Sequence, residues 1–139
     1  MKPFLFLSLL FLSCFHSFAQ NNGKELEPRN SGTIKIYDFA EVSPEFPGGE
    51  DSLNAWINRN IELPAKLKNN KYKGRIYVRF EVLKNGQTVN PRIIKGLNEE
   101  VDKEVIRLLR KMPKWKPGTV KGREVHVRMY VPLEIKLNN

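Results

Sequence analysis

A few positions in this 139-residue chain carry residue types that could do chemistry. Gly48-Gly49, set before the acidic start of a helix, resembles a backbone cradle for phosphate, but the lysine of a P-loop is missing and the pair reads as a turn. His126 stands in an alternating apolar and polar run without any nearby Cys, so it reads as a solvated strand residue rather than a base or metal ligand. Glu99 and Glu100 are neighbours in sequence and diverge on a helix, which denies them a shared acid and base role. Trp115, between two prolines, can stack on a ligand but reads better as a plug for a core. No nucleophile is paired with a base. The expectation is therefore a binding protein with no catalytic residue, no metal, no cofactor and no small-molecule substrate. One chemistry remains, that of a strand edge whose N–H and C=O groups lack partners and can accept a guest strand.

The elements that must present such an edge begin after an expected leader. Residues 1–19 read as a secretory signal, with Lys2, an apolar run over residues 4–15 and Ser17-Phe18-Ala19 before Gln20. The run is shorter than the roughly 20 residues of a membrane-spanning helix. Export to the periplasm is the expectation, with two alternatives kept open: an uncleaved anchor, and a lipid on Cys14, since Leu12-Ser13-Cys14 loosely resembles a lipobox. Cleavage removes the lone cysteine, so no disulfide is expected. Lys and Arg outnumber Asp and Glu by 24 to 15, which alone would suggest nucleic acid or an anionic surface; export argues against nucleic acid.

Residues 20–41 form an expected flexible tether, with a short strand near residues 33–39 where Ile34 and Ile36 alternate with Lys35 and Tyr37. A turn rich in Pro and Gly leads to a helix over residues 50–60, where Leu53, Trp56 and Ile57 share one face and Trp56 is the expected anchor. Leu63-Pro64 stops it and opens a second short helix reaching about residue 70. Residues 75–83 alternate as a strand, and Lys84-Asn85-Gly86-Gln87 suggests a tight type I′ turn into a return strand over residues 88–95. Pro91 assigns that return strand to a sheet edge. Asn98 caps a helix running to Met112, whose stripe is Val101, Val105, Leu108, Leu109 and Met112. Residues 123–137 alternate as a long last strand. The fold class is α+β: a small three-stranded antiparallel sheet with helices packed on one face.

Three ordered motifs carry a resemblance: Pro44-Glu45-Phe46-Pro47-Gly48-Gly49-Glu50; Gly74-Arg75-Ile76-Tyr77-Val78 with its Lys84-Asn85-Gly86 turn; and Met112-Pro113-Lys114-Trp115-Lys116-Pro117-Gly118. Together they resemble the C-terminal domain of TonB, the transducer that grips outer-membrane receptors, over about residues 42–137. The domain division is then leader 1–19, tether 20–41 and TonB C-terminal-like domain 42–139. The resemblance marks Phe46, Pro47, Gly48, Gly49, Leu63, Pro64, Trp115, Pro117 and Gly118 as the structural motif, with Leu63-Pro64 standing where the family commonly has Tyr-Pro.

The resemblance also implies a final strand exposed at a sheet edge, pairing with the TonB box of a TonB-dependent outer-membrane receptor. If residues 75–83 are central, the peptide-binding edge is Glu124, Val125, His126, Val127, Arg128, Met129, Tyr130 and Val131, with Arg128 placed to meet an acidic guest residue. A full transducer has a retained anchor and a long proline-rich spacer, whereas residues 20–41 reach at most about 75 Å when fully extended. The competing expectation is a scaffold for another envelope protein, in which residues 33–39 pair with strand 124–131 in an autoinhibited form or a swapped homodimer.

Overall fold

The computed structural model describes residues 34–68 and 72–137. The expected leader, Cys14 and the first part of the tether lie outside the described residues. Five strands and three helices follow in the order β1 (Ile36–Tyr37), α1 (Glu50–Asn60), α2 (Ala65–Lys68), β2 (Tyr72–Val82), β3 (Thr88–Lys95), α3 (Glu99–Leu109), β4 (Gly118–Val120) and β5 (Arg123–Leu137). The sheet order is β1-β5-β2-β3, with β4 paired to β5. The expected three antiparallel strands are its centre, and β1 and β4 enlarge it. Among the described residues no helix is long and apolar enough to cross a membrane.

The centre follows from the alternation. Ile76, Val78, Phe80 and Val82 of β2 are buried, as are Val127, Val131, Leu133 and Ile135 of β5, because successive side chains point to opposite faces. The two strands pair antiparallel from Tyr72↔Leu137 to Val82↔Val127 without a slip. On the other side of β2, the pairing with β3 shifts register twice, between Tyr77/Val78 and between Arg79/Glu81. The shifts place extra residues in β3 around Ile94 and around Asn90-Pro91, and Asn90 takes φ 54. A bulge on an outer strand is where proline fits a sheet. Asn90 also donates from Nδ2 to Glu81 Oε2 at 3.0 Å, which supplies a partner to a carboxylate only 8% exposed.

Helices cover one face. Leu53 and Ile57 of α1 and Val101, Val105, Leu108 and Leu109 of α3 are buried in the core. Trp56, expected as the anchor, is only partly buried against that core; Leu53 and Ile57 occupy the deepest positions of the face. Burial of each large apolar side chain contributes about 1.5–3 kcal/mol, so packing holds these short helices together. Asn98 caps α3 as expected, its side chain accepting from Val101 N–H at 2.9 Å. The helix stops at Leu109, before Met112, since Pro113 disfavours helical backbone in the residue preceding it.

Two turns differ from the sequence reading. At Asn85-Gly86 only the glycine has positive φ, at 85, and Gly86 N–H donates to Leu83 C=O at 2.8 Å. This is a type I turn closed by a glycine bulge, not the expected type I′ turn. The residues with positive φ at both central positions are Lys121 (φ 52) and Gly122 (φ 71), between Val120 and Arg123, which are paired in the β4–β5 hairpin.

Candidate functional site

β5 has β2 along one side. Its other side is defined by three hydrogen bonds near the C-terminal end. Glu134 N–H donates to Asn54 Oδ1 at 2.9 Å, Glu134 C=O accepts from Asn58 Nδ2 at 2.7 Å, and Lys136 N–H donates to Asn58 Oδ1 at 2.7 Å. Asn54 and Asn58 lie one helical turn apart on α1 and so face the same way. Their amides meet the β5 backbone as a neighbouring strand would. Because main-chain groups alternate sides along a strand, those of Pro132, Tyr130, Arg128 and His126 project toward this same edge.

The other end of the edge is also occupied. β1 pairs parallel to β5, Ile36 opposite His126 and Tyr37 opposite Val127. Beyond the pairing, Arg128 Nη1 donates to Asp38 Oδ1 at 2.8 Å, and Arg128 Nη2 stands 3.8 Å from Glu81 Oε1. Arg128 Nε is buried and has no partner among the described residues.

A gap remains between these caps. Tyr130 is 62% exposed, and among the described residues no strand or side chain occupies the edge from Met129 to Pro132. Pro132 lacks an N–H but faces the gap, so it interrupts no ladder bond of the fold. A groove of about 310 Å³ runs beside the gap, lined by Pro44, Phe46, Leu53, Met129 and Val131, with Glu45 and Glu50 also on its wall. Trp115 lines it too, and its Nε1 is buried without a partner among the described residues.

The expected edge of residues 124–131 is therefore not open along its length. Glu124 pairs with Thr119 and Val125 with Gly118 of β4, and His126 and Val127 are opposite β1. His126 accepts at Nδ1 from Lys84 N–H at 3.3 Å. Val127 and Val131 turn their side chains into the protein, Met129 is half-buried, and Arg128 is engaged by Asp38. The structure leaves the stretch around Tyr130 free. No cluster of metal-ligating side chains exists among the described residues.

The structural motif lies behind this edge. Phe46 and Trp115 meet edge to face at 5.7 Å, and Trp115 meets Phe80 in the same way at 5.2 Å; Leu63 completes the buried set. Pro47 is exposed, while Gly48 and Gly49 take φ of 87 and 86. Ser52 Oγ donates to Gly48 C=O at 2.9 Å, which makes this glycine pair the turn that starts α1. Pro64 is exposed just before α2, its C=O accepting from Leu67 N–H at 2.9 Å. After the half-buried Pro117, Gly118 is close-packed: a side chain there would begin 2.8 Å from Val127 and 3.0 Å from Val42 C=O.

Asp38, Glu81, Asn54 and Asn58 belong to the site, and sequence reasoning missed them. An amide pair at i and i+4 on the polar side of a helix was the available signal for the last two. At the far end of β5, the Glu134 carboxyl is held below its ordinary pKa by Lys136 and then by Arg75.

A family model described as the Gram-negative bacterial TonB protein C-terminal matches residues 59–137. The match starts inside α1 and leaves the Pro44 to Glu50 turn outside it. No curated protein matches the chain.

Proposed function

The chain belongs to the TonB C-terminal family, and from that membership we propose that it holds the TonB-box peptide of an outer-membrane receptor as an added strand on β5. The coarser role comes with the family: a non-enzymatic envelope module of binding and energy transduction, associated with TonB-dependent transport. The observation that carries the finer reading is the uncapped edge at Tyr130. A protein that only needed to protect its sheet would cap the whole edge, as Asn54 and Asn58 do at Glu134 and Lys136. Instead the caps stop short and leave main-chain groups beside an apolar groove, the arrangement in which backbone bonding supplies affinity and side-chain pockets supply choice.

Titration of the chain with TonB-box peptides from several receptors tests this. Saturable binding to some of them is expected, and no binding to any would overturn the reading. The proposal includes export by the signal at residues 1–19, for which the intact mass of the native protein is the check; a chain beginning at Gln20 is expected.

A further inference from the structure

The segment that pairs with β5 at His126 and Val127 looks built to leave. β1 contributes two residues to the sheet where β2 contributes eleven. Its apolar flanks gain nothing from docking, since Ile34 is 60% exposed and Phe39 90%. The chain is fastened immediately afterward: Val42 and Thr119 exchange both main-chain hydrogen bonds at 3.2 and 2.9 Å, Glu45 and Lys116 do the same at 3.0 and 2.8 Å, and Glu41 accepts from Lys121 N–H at 3.1 Å. Residues 34–39 can therefore swing away from the edge while residues 42–45 stay in place.

We infer that residues 34–39 are an internal stand-in for the guest strand, and that they describe the guest that displaces them. This guest is an extended peptide running parallel to β5, with an apolar residue opposite His126 and a carboxylate two residues later on Arg128. The inference rests on the edge reading above and adds direction, register and charge to it. With β1 docked, Tyr130 is the one outward-facing β5 residue between the caps whose main-chain groups are both free among the described residues. With β1 released, His126, Arg128 and Tyr130 form one continuous edge. The Arg128 guanidinium has spare capacity as well, because Asp38 uses Nη1 and Nε has no partner among the described residues. A planar fork with unused donors favours a carboxylate over other guest groups. The tethered β1 competes at high effective concentration, so a guest must outbid a weak but always present neighbour.

The test uses the full chain and a synthetic peptide of its own residues 33–41. Binding is read from amide shifts at His126 to Tyr130. The double variant Ile36→Gly/Asp38→Asn, altered only in the stand-in, is expected to bind this peptide about tenfold more tightly than the unaltered chain, the gain that follows when the open form rises from about a tenth of molecules to nearly all. A peptide with Asn in place of Asp38 is expected to bind about two- to fivefold more weakly, the range of one partly exposed ion pair. Equal affinities for the variant and the unaltered chain, or shifts confined to other strands, overturn the inference. Receptor peptides separate it from the broader reading. If they bind variant and unaltered chain alike, the stand-in is wrong and receptor binding stands; if only the 33–41 peptide binds, the stand-in holds and receptor binding falls.

Discussion

Replacing Asn58 with alanine removes two hydrogen bonds that α1 makes to β5, both at 2.7 Å, to Glu134 C=O and Lys136 N–H. It also frees the Asn54 carbonyl, which now accepts from Asn58 Nδ2 at 2.8 Å. A typical internal hydrogen bond contributes about 1 kcal/mol net, and a stranded partly buried group costs about 1–3 kcal/mol. Asn58→Ala is therefore expected to lose about 2 kcal/mol. Asn54→Ala breaks only the 2.9 Å bond to Glu134 N–H and is expected to lose about 1 kcal/mol. For a small domain with a total stability of about 5–15 kcal/mol these are large losses. With a urea slope of about 1–3 kcal/mol per molar, Asn58→Ala lowers the unfolding midpoint by roughly 1 M with the slope unchanged. Because both amides serve Glu134, the double variant should depart from the sum of the single ones. A loss under about 0.5 kcal/mol for Asn58→Ala would show that water replaces the amide at no cost, and that the end of the edge is not capped by α1.

Gly86→Ala places a methyl 2.3 Å from Trp115 C=O at a φ of 85, whereas Gly122→Ala at φ 71 meets nothing within 4 Å; denaturation should show a loss of about 1 kcal/mol for Gly122→Ala from backbone strain and at least about 2 kcal/mol for Gly86→Ala. Lys121→Asn should gain about 0.5 kcal/mol in melting experiments, since asparagine tolerates the left-handed backbone at φ 52 better than lysine does. Glu104 accepts from Arg107 Nε at 2.8 Å and from Glu62 N–H at 2.8 Å, and chiefly the bond from Arg107 holds its carboxyl below the ordinary value. That stabilisation is present above the unfolded-state pKa and fades as pH falls through the folded one, so Glu104→Gln should cost about 1–2 kcal/mol at neutral pH and progressively less in acid.

Elements that depend on local pattern were legible in the sequence. The alternation of β2 and β5, the apolar stripe of α3 and its Asn98 cap each show within a dozen residues, and the structure contains all of them. The contacts that shape the site are long-range. Asn58 meets Glu134 from 76 residues away, and Asp38 meets Arg128 from 90, so no window of sequence contains either pair. β4 is only three residues long, held by Val42 on one side and Glu124 on the other, and Gly118-Thr119-Val120 alone gives no strand signal. The type I′ turn was assigned to Asn85-Gly86 because that pair is the strongest local cue. The β2–β3 loop instead packs against Trp115, whose N–H donates to Gly86 C=O at 2.9 Å, while a lysine carries the unusual backbone at the other hairpin.

Amide hydrogen exchange at Tyr130, followed with and without a TonB-box peptide, tests the central claim most directly. This N–H faces the open edge, so it should exchange quickly in the free chain and slow markedly once a guest strand pairs with it, while amides of the β2–β3 hairpin stay unchanged. A peptide that binds while the exchange of Tyr130 is unaltered would contradict the account, and place the guest somewhere other than the edge of β5.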